Sequence, residues 1–343
     1  MNPTVTLHPS GKRFQAADGE SVLAAALRNG LNLPHSCRGG SCMSCQARIL
    51  SGKIDYPRGT PAALSPADLS SSQALLCQAV ATSDLEVEIA PLETPGNIRI
   101  RRLPCRVQTA TRLCPDVMEL GLKLPGFEPF EYLAGQYVDI LLSGGERRSF
   151  SIANPPHTAG LLQIHVRRVA GGRFSDYVFE QMKPRALLRL EGPLGQFYLR
   201  EDRQRPVLLM GGGTGYGPLK AILAHVFHLG WDRPVQLYWG VRDRVDLYDQ
   251  QQLLDWSGTH PGFRFVPVLS EPGDDGAWEG RTGFVHQAVV ADIPDLSGWD
   301  VYMAGPPPMI EAARALFPRH GLPAQQLFFD SFDYARPLVE PAG

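Results

Sequence analysis

The chain has 343 residues, with 33 basic and 35 acidic side chains and a formal net charge of -2. That length accommodates two or three domains with substantial cores, and the charge balance recommends neither nucleic acid nor an anionic membrane as partner. Apolar runs such as Val22–Leu27 and Val207–Met210 are far too short to cross a bilayer. Met1–His8 has no basic stretch leading into an apolar core, so no secretory signal is expected and the protein is placed in the cytoplasm.

The first segment, residues 1–95, opens with two short strands at Thr4–Leu7 and Arg13–Ala16 that turn at Pro9-Ser10-Gly11. Ser21 then caps a helix from Val22 to Asn29, which Gly30 stops. After it come Cys37, Cys42 and Cys45, and far downstream Cys77. The spacing C-x4-C-x2-C plus a distant fourth cysteine is that of a plant-type 2Fe-2S cluster. Four thiolates must converge on two irons, so three come from one wrapping loop and the fourth closes the site from another segment. Gly39 and Gly40 let the loop curl. Zinc, a disulfide and buried thiols are the competing readings. A structural zinc knuckle usually shows two tight pairs, and here the fourth cysteine stands alone. Cys105 and Cys114 are left over as core residues, and His35 is read as a surface residue or one lying behind the ligands. Gln46–Leu50 and Leu85–Ile89 complete a small sheet around Leu75-Leu76-Cys77. Strands wrapped on one helix with a ligand loop resemble the β-grasp fold of plant-type ferredoxins. Many bacterial relatives of that fold carry Gly where Met43 sits.

A linker rich in proline, Ala90–Gly96, marks a boundary. Over residues 98–203 the pattern turns all-β, with strands at Cys105–Thr109, Val117–Leu124, Gln136–Leu142, Arg148–Ile152 and Leu161–Arg167 and a helix at Ser175–Met182. Regular short strands predict a barrel. Over residues 204–343, apolar runs at Pro206–Met210, Val235–Trp239, Phe263–Leu269 and Val301–Ala304 alternate with helices beginning near Pro218, Asp249, Gly283 and Pro308. That alternation predicts a parallel sheet with crossover helices.

Two glycine turns fall at the carboxyl edge of this sheet, where open α/β sheets bind ligands. One is Gly211-Gly-Gly-Thr-Gly-Tyr-Gly-Pro218, the other Gly305-Pro-Pro-Pro-Met309. Backbone amides of such a turn approach a pyrophosphate, although neither glycine triplet fits G-x-G-x-x-G, because Tyr216 and Pro218 occupy the third places. A third motif, Arg147-Arg148-Ser149-Phe150-Ser151, supplies a phosphate clamp, a flat ring and a hydroxyl. Any amphipathic strand could carry it, but Gly171-Gly172-Arg173-Phe174-Ser175 follows and aims a hydroxyl and a helix start at a second phosphate.

Taken in order, these motifs resemble the ferredoxin-NADP reductase superfamily. With a ferredoxin module in front, the chain is similar to reductase components of bacterial oxygenases, and in texture to the CDP-deoxyglucoseen reductase group, through Arg102–Cys105, Tyr132–Tyr137, Arg281–His286 and Asp330–Phe332. The implied architecture is multidomain, α+β and α/β. It joins a β-grasp ferredoxin, a six-stranded antiparallel flavin-binding β-barrel and a parallel-sheet nucleotide-binding domain. The resemblance implies Cys37, Cys42, Cys45 and Cys77 as metal ligands. It implies FAD on Arg148, Ser149, Phe150, Ser151, Gly172, Arg173 and Ser175, with His165 and Arg167 of the neighbouring strand also counted as cofactor contacts. NADH, or else NADPH, falls to Gly213, Thr214, Gly215, Gly305, Pro306 and Met309. Ser151 would sit near the reacting flavin nitrogen and Phe332 over the flavin face. Many relatives carry Cys where this chain has Ala304.

Electron flow is then expected from NAD(P)H through FAD to the cluster, because a dinucleotide gives two electrons at once and a cluster accepts one. Val241–Arg244 offers both charge signs, so a solvated loop is expected there and NADH is favoured on resemblance. Three readings of the outlet remain: a partner oxygenase, a deoxysugar dehydrase partner, and a cluster used as a redox sensor. The acceptor is expected near Arg38–Ser44, where no charge dominates.

Overall fold

The computed structural model describes residues 2–35, 38–40, 43–91, 98–126, 129–158, 160–273 and 278–332. It divides into two compact units, one of residues 1–98 with the segment from Ser331 onward, the other Arg99–Asp330.

The first unit contains β1 (Thr4–His8), β2 (Arg13–Gln15), α1 (Val22–Arg28), β3 (Gln46–Ser51), β4 (Ile54–Asp55), α2 (Pro66–Ser70), β5 (Gln73–Leu75), β6 (Val80–Ala81) and β7 (Leu85–Glu88). The main sheet runs β2-β1-β7-β3-β5, and β4 pairs β6 separately. Neighbouring β1 and β7 are parallel, while β1–β2, β3–β7 and β3–β5 are antiparallel. Val5 and Leu7 alternate inward along β1, as a half-buried strand requires. They share a core with Val22, Leu23, Ala25 and Ala26 of α1, all essentially inaccessible. The helix starts where expected, because Ser21 Oγ accepts from the Ala24 amide at 3.2 Å. The short α2 went unread in the sequence; it is fixed by a capping box between Ser65 and Asp68.

The second unit begins with a six-stranded barrel: β8 (Arg101–Cys114), β9 (Val117–Lys123), β10 (Tyr137–Leu141), β11 (Arg147–Ser151), β12 (Leu162–Arg167) and β13 (Leu187–Leu194). Their order is β11-β10-β13-β8-β9-β12. An antiparallel bridge between Ile152 and Ile164 joins the two edge strands and closes the barrel. The expected helix over Ser175–Met182 is corrected to one turn of α-helix, α3 (Arg173–Asp176), followed by a wider π turn over Tyr177–Gln181. The sixth strand, β13, has no counterpart among the strands read above, since its Gly192-Pro193 resembles a turn. Cys105 lies in the barrel core, and burial pushes its thiol up to about 12.

The rest of the unit alternates strand and helix: β14 (Val207–Gly212), α4 (Tyr216–His228), β15 (Val235–Val241), α5 (Gln250–Thr259), β16 (Phe263–Leu269), β17 (Arg281–Thr282), α6 (Val285–Asp292), β18 (Asp300–Gly305), α7 (Pro307–Leu316) and β19 (Leu327–Ser331). Strand order is β17-β16-β15-β14-β18-β19, and the pairs from β17 through β18 are parallel. Every residue of β14 and β18 is buried, as a sheet covered on both faces demands. No helix among the described residues is long and apolar enough to cross a membrane.

Candidate functional site

The cysteine-bearing stretch of the first unit is stitched to its sheet. Cys45 precedes β3 and Cys77 follows β5, and both thiols are buried. Gln46 faces Leu75 across the ladder, and the Leu76 amide donates to the Cys45 carbonyl at 3.2 Å. Two cysteine-bearing segments are thereby locked side by side. Gln78 Nε2 donates to the Arg38 carbonyl at 2.7 Å. Arg38, Gly40 and Met43 have left-handed backbones, with φ of 55°, 86° and 62°. A Cβ on Gly40 would meet Gln78 Cγ at 3.0 Å, so both conformation and contact select glycine there. Met43 carries the strain that glycine would relieve at its position. Cys37 and Cys42 lie outside the described residues. Buried thiols on stitched segments, preceded by left-handed residues at Arg38, Gly40 and Met43, fit the donor set of an iron-sulfur cluster.

Two neighbours complete this picture. Tyr56 Oη accepts from the Leu75 amide at 3.2 Å, an acceptor the sequence did not announce. His35 is buried, not at the surface, and its Nδ1 lies 2.7 Å from the Leu33 carbonyl. Burial, with the charge of Arg38, lowers it to about 3, so the ring is neutral.

In the second unit, β11 pairs with β10 in the register Ser149↔Asp139 and Ser151↔Tyr137. Ser149 Oγ donates to Asp139 at 2.7 Å. Arg147 turns to Asp139 and Glu191, while Arg148 reaches Glu146 at 3.2 Å. Arg173 reaches the same Glu146 at 2.8 Å. One carboxylate therefore gathers two arginines from separate motifs, and a pair of guanidiniums is what a pyrophosphate needs. Phe150 packs on Phe174 with ring centres 5.3 Å apart, drawing β11 against the Gly171–Ser175 turn. Ser175 Oγ is bound within that turn, to Gly172 and Val169. A Cβ on Gly172 would strike it at 2.5 Å. This serine shapes the turn with its hydroxyl facing inward.

The two glycine turns of the nucleotide sheet meet. A Cβ on Gly212 would lie 2.7 Å from Met309 Sδ and 2.8 Å from Pro306 Cδ. One on Gly215 would lie 1.9 Å from the Ala304 carbonyl oxygen. Thr214 is buried between them in sequence. Trp239, within β15, donates from Nε1 to the Gly213 carbonyl at 2.9 Å and stacks on Tyr216 at 4.2 Å. Arg167 comes across from the barrel, its guanidinium lying over Gly213 and held by Asp116 at 2.8 Å. His165 is buried beside it, 3.1 Å from Tyr248 Oη and 3.4 Å from Glu119, and burial keeps it below the ordinary histidine value. His165 and Arg167 thus line the seam toward the nucleotide loop, apart from the Glu146 pair. Arg242 is mostly exposed and lies 3.8 Å from Asp116 and 3.7 Å from Asp246.

Barrel and sheet are joined at one more point. Ser151 Oγ donates to Asp330 Oδ2 at 3.4 Å, across 179 positions of sequence. Phe332, two residues beyond, is half-buried.

Three family models match the chain in succession: a 2Fe-2S iron-sulfur cluster binding domain over residues 5–82, an oxidoreductase FAD-binding domain over 104–198, and an oxidoreductase NAD-binding domain over 209–315. The chain is 39% identical over 332 residues to the CDP-6-deoxy-L-threo-D-glycero-4-hexulose-3-dehydrase reductase of Yersinia pestis, covering 97% of this chain and 99% of that one. It is 32% identical to the phenol 2-monooxygenase reductase component DmpP of Pseudomonas sp. strain CF600, covering 97% and 95%. Among solved structures, the Amycolatopsis cytochrome P450 reductase GcoB superposes with a TM-score of 0.83 at 35% identity, covering 96% and 98%. The chain belongs to the ferredoxin-NADP reductase superfamily, in the branch with a plant-type ferredoxin domain at its N-terminus, and is an oxidoreductase that works with NAD(P)H, FAD and a 2Fe-2S cluster.

Proposed function

We propose that this reductase takes electrons from NADH and delivers them, through FAD and the cluster, to a separate oxygenase component in the cytoplasm. Bound FAD supplies the exchange between a hydride's electron pair and the single electrons that a cluster accepts. The residues do the positioning. Arg148 and Arg173, gathered on Glu146, hold the FAD phosphates in the turn shaped by Gly172 and Ser175. Phe150 packs on the flavin ring, and Ser149 anchors the strand through Asp139. Gly213, Thr214 and Gly215, with Gly305, Pro306 and Met309, hold the dinucleotide, and His165 and Arg167 approach it from the barrel. Phe332 covers the flavin face that the nicotinamide must reach. Cys37, Cys42, Cys45 and Cys77 hold the cluster.

The observation that carries this reading is the Ser151–Asp330 hydrogen bond, which ties the flavin strand to the last strand of the nucleotide sheet. A hydroxyl on the flavin strand backed by a carboxylate is an arrangement suited to hold a proton beside a ring that gains and loses hydride. A second reading, electron delivery to a deoxysugar dehydrase, rests on the 39% identity to the dehydrase reductase.

The test adds NADH, then NADPH, to anaerobic holoprotein, following flavin bleaching by absorbance and the cluster by electron paramagnetic resonance. Both centres should reduce, with NADH the better donor. Bleached flavin beside an oxidised cluster would sink the proposed outlet, and failure to reduce any one-electron acceptor would revive the redox-sensor reading. Reconstitution with candidate oxygenase and dehydrase partners then separates the two acceptors.

A further inference from the structure

Away from the electron path, three imidazoles meet where the barrel touches α4. His157 lies in the loop after β11, and His225 and His228 lie on the last turn of α4. Residues three apart share one helix face, so His225 and His228 present their rings together. His157 Nδ1 is 3.3 Å from His225 Nδ1. Its ring stacks on His228 at 3.7 Å with an interplanar angle of 15°. On its other side, His225 Nε2 lies 3.0 Å from Glu201 Oε1.

The carboxylate decides where the proton sits. Ionised Glu201 only accepts, so His225 carries its hydrogen on Nε2, and in the neutral ring Nδ1 is a bare lone pair. That lone pair faces the matching nitrogen of His157. The 3.3 Å separation is long for a hydrogen bond between two ring nitrogens. It is the spacing of two ligands on one tetrahedral zinc ion, since Zn–N bonds of about 2.0–2.1 Å set their nitrogens about 3.3 Å apart. A carboxylate on the far nitrogen is also how metal-ligating imidazoles are commonly oriented.

We propose that His157 and His225, joined by His228 after rotation of its exposed side chain, form a site for a divalent zinc ion that ties the barrel loop to helix α4. Glu201 acts through His225 as a positioning residue. Water completes the coordination, as in open zinc sites.

The experiment uses oxidised holoprotein, whose cluster and flavin give no paramagnetic signal. Zinc titrated by calorimetry should bind one ion per chain and raise the unfolding temperature. Copper(II) in its place should give a paramagnetic resonance spectrum with nitrogen hyperfine structure. His157→Ala and His225→Ala should each weaken zinc by more than tenfold, and Glu201→Gln by about 10–100-fold. Zinc bound equally well by His157→Ala and His225→Ala, a copper spectrum dominated by sulfur, or no binding at millimolar zinc would each overturn the proposal. All three side chains are at least partly accessible, so the variants should retain wild-type flavin absorbance and the comparison stays a measure of the site.

Discussion

Gly215→Ala is the sharpest test of how the nucleotide site is built. Gly215 has a right-handed helical backbone, with φ of -58° and ψ of -14°, which any residue adopts. Its need for glycine is therefore steric. An added Cβ would sit 1.9 Å from the Ala304 carbonyl oxygen, 2.4 Å from the Ala304 carbonyl carbon and 2.8 Å from the Gly305 amide nitrogen. Real Cβ contacts begin near 3.0 Å, so the two turns must separate by about 1 Å. Both are backbone at the ends of fully buried strands, and no flexible side chain can yield. Overpacking of this kind costs about 1–3 kcal/mol, at the upper end where backbone must move.

The control is Gly217→Ala, two residues on. There the new Cβ would meet His165 Nδ1 at 3.4 Å, an ordinary contact, and alanine is worth up to about 1 kcal/mol over glycine in a helix. Urea unfolding of the flavin-loaded protein and steady-state reduction of ferricyanide by NADH are the assays. Gly215→Ala should lose about 2–3 kcal/mol of stability and raise the KM for NADH, while the cluster's resonance signal after chemical reduction stays unchanged. Wild-type stability and KM in Gly215→Ala, or equal damage in Gly217→Ala, would refute the steric argument.

Other expectations follow from single contacts. Tyr56→Phe keeps the ring and removes the acceptor of the Leu75 amide; an orphaned buried amide costs about 1–3 kcal/mol, so the first unit should unfold earlier and release iron to a chelator faster than wild type. Cys77→Ser should abolish the cluster's visible absorption and its reduced resonance signal while NADH still bleaches the flavin; a wild-type cluster spectrum would remove Cys77 from the ligand set. Burial raises the Glu191 pKa, but hydrogen bonds from Arg102 and Arg147 outweigh it and the carboxyl ends below its ordinary value. A folded-state pKa below the unfolded one stabilises at pH above the unfolded value, about 4.3, and that stability is lost as pH falls through the folded value. Glu191→Gln should accordingly be less stable than wild type at pH 7, with the difference shrinking below about pH 4; a constant difference across that range would contradict the assignment.

What was legible in the sequence is what local covalent order constrains. A cysteine spacing that lets one short loop wrap two irons, and a strand–glycine–helix turn whose amides can approach a phosphate, each leave a mark within a few residues. The alternation of apolar runs and helices is equally local, and β14, β15, β16 and β18 appear where it placed them. Contacts chosen by packing left no such mark. Leu187–Leu194 is a full barrel strand between β10 and β8, yet Gly192-Pro193 reads as a turn, because the ladder that overrides that preference comes from strands far away in the chain. Glu146 belongs to no sequence motif, and only the folded chain brings Arg148 and Arg173 onto it. Asp330 entered the site only through Ser151. Gly215 shows the boundary between the two kinds of knowledge. Its place in a glycine-rich loop was visible, but its backbone is one that alanine would accept, and the reason it must be glycine is the Ala304 carbonyl of a strand some ninety residues away, with which only the folded sheet brings it into contact.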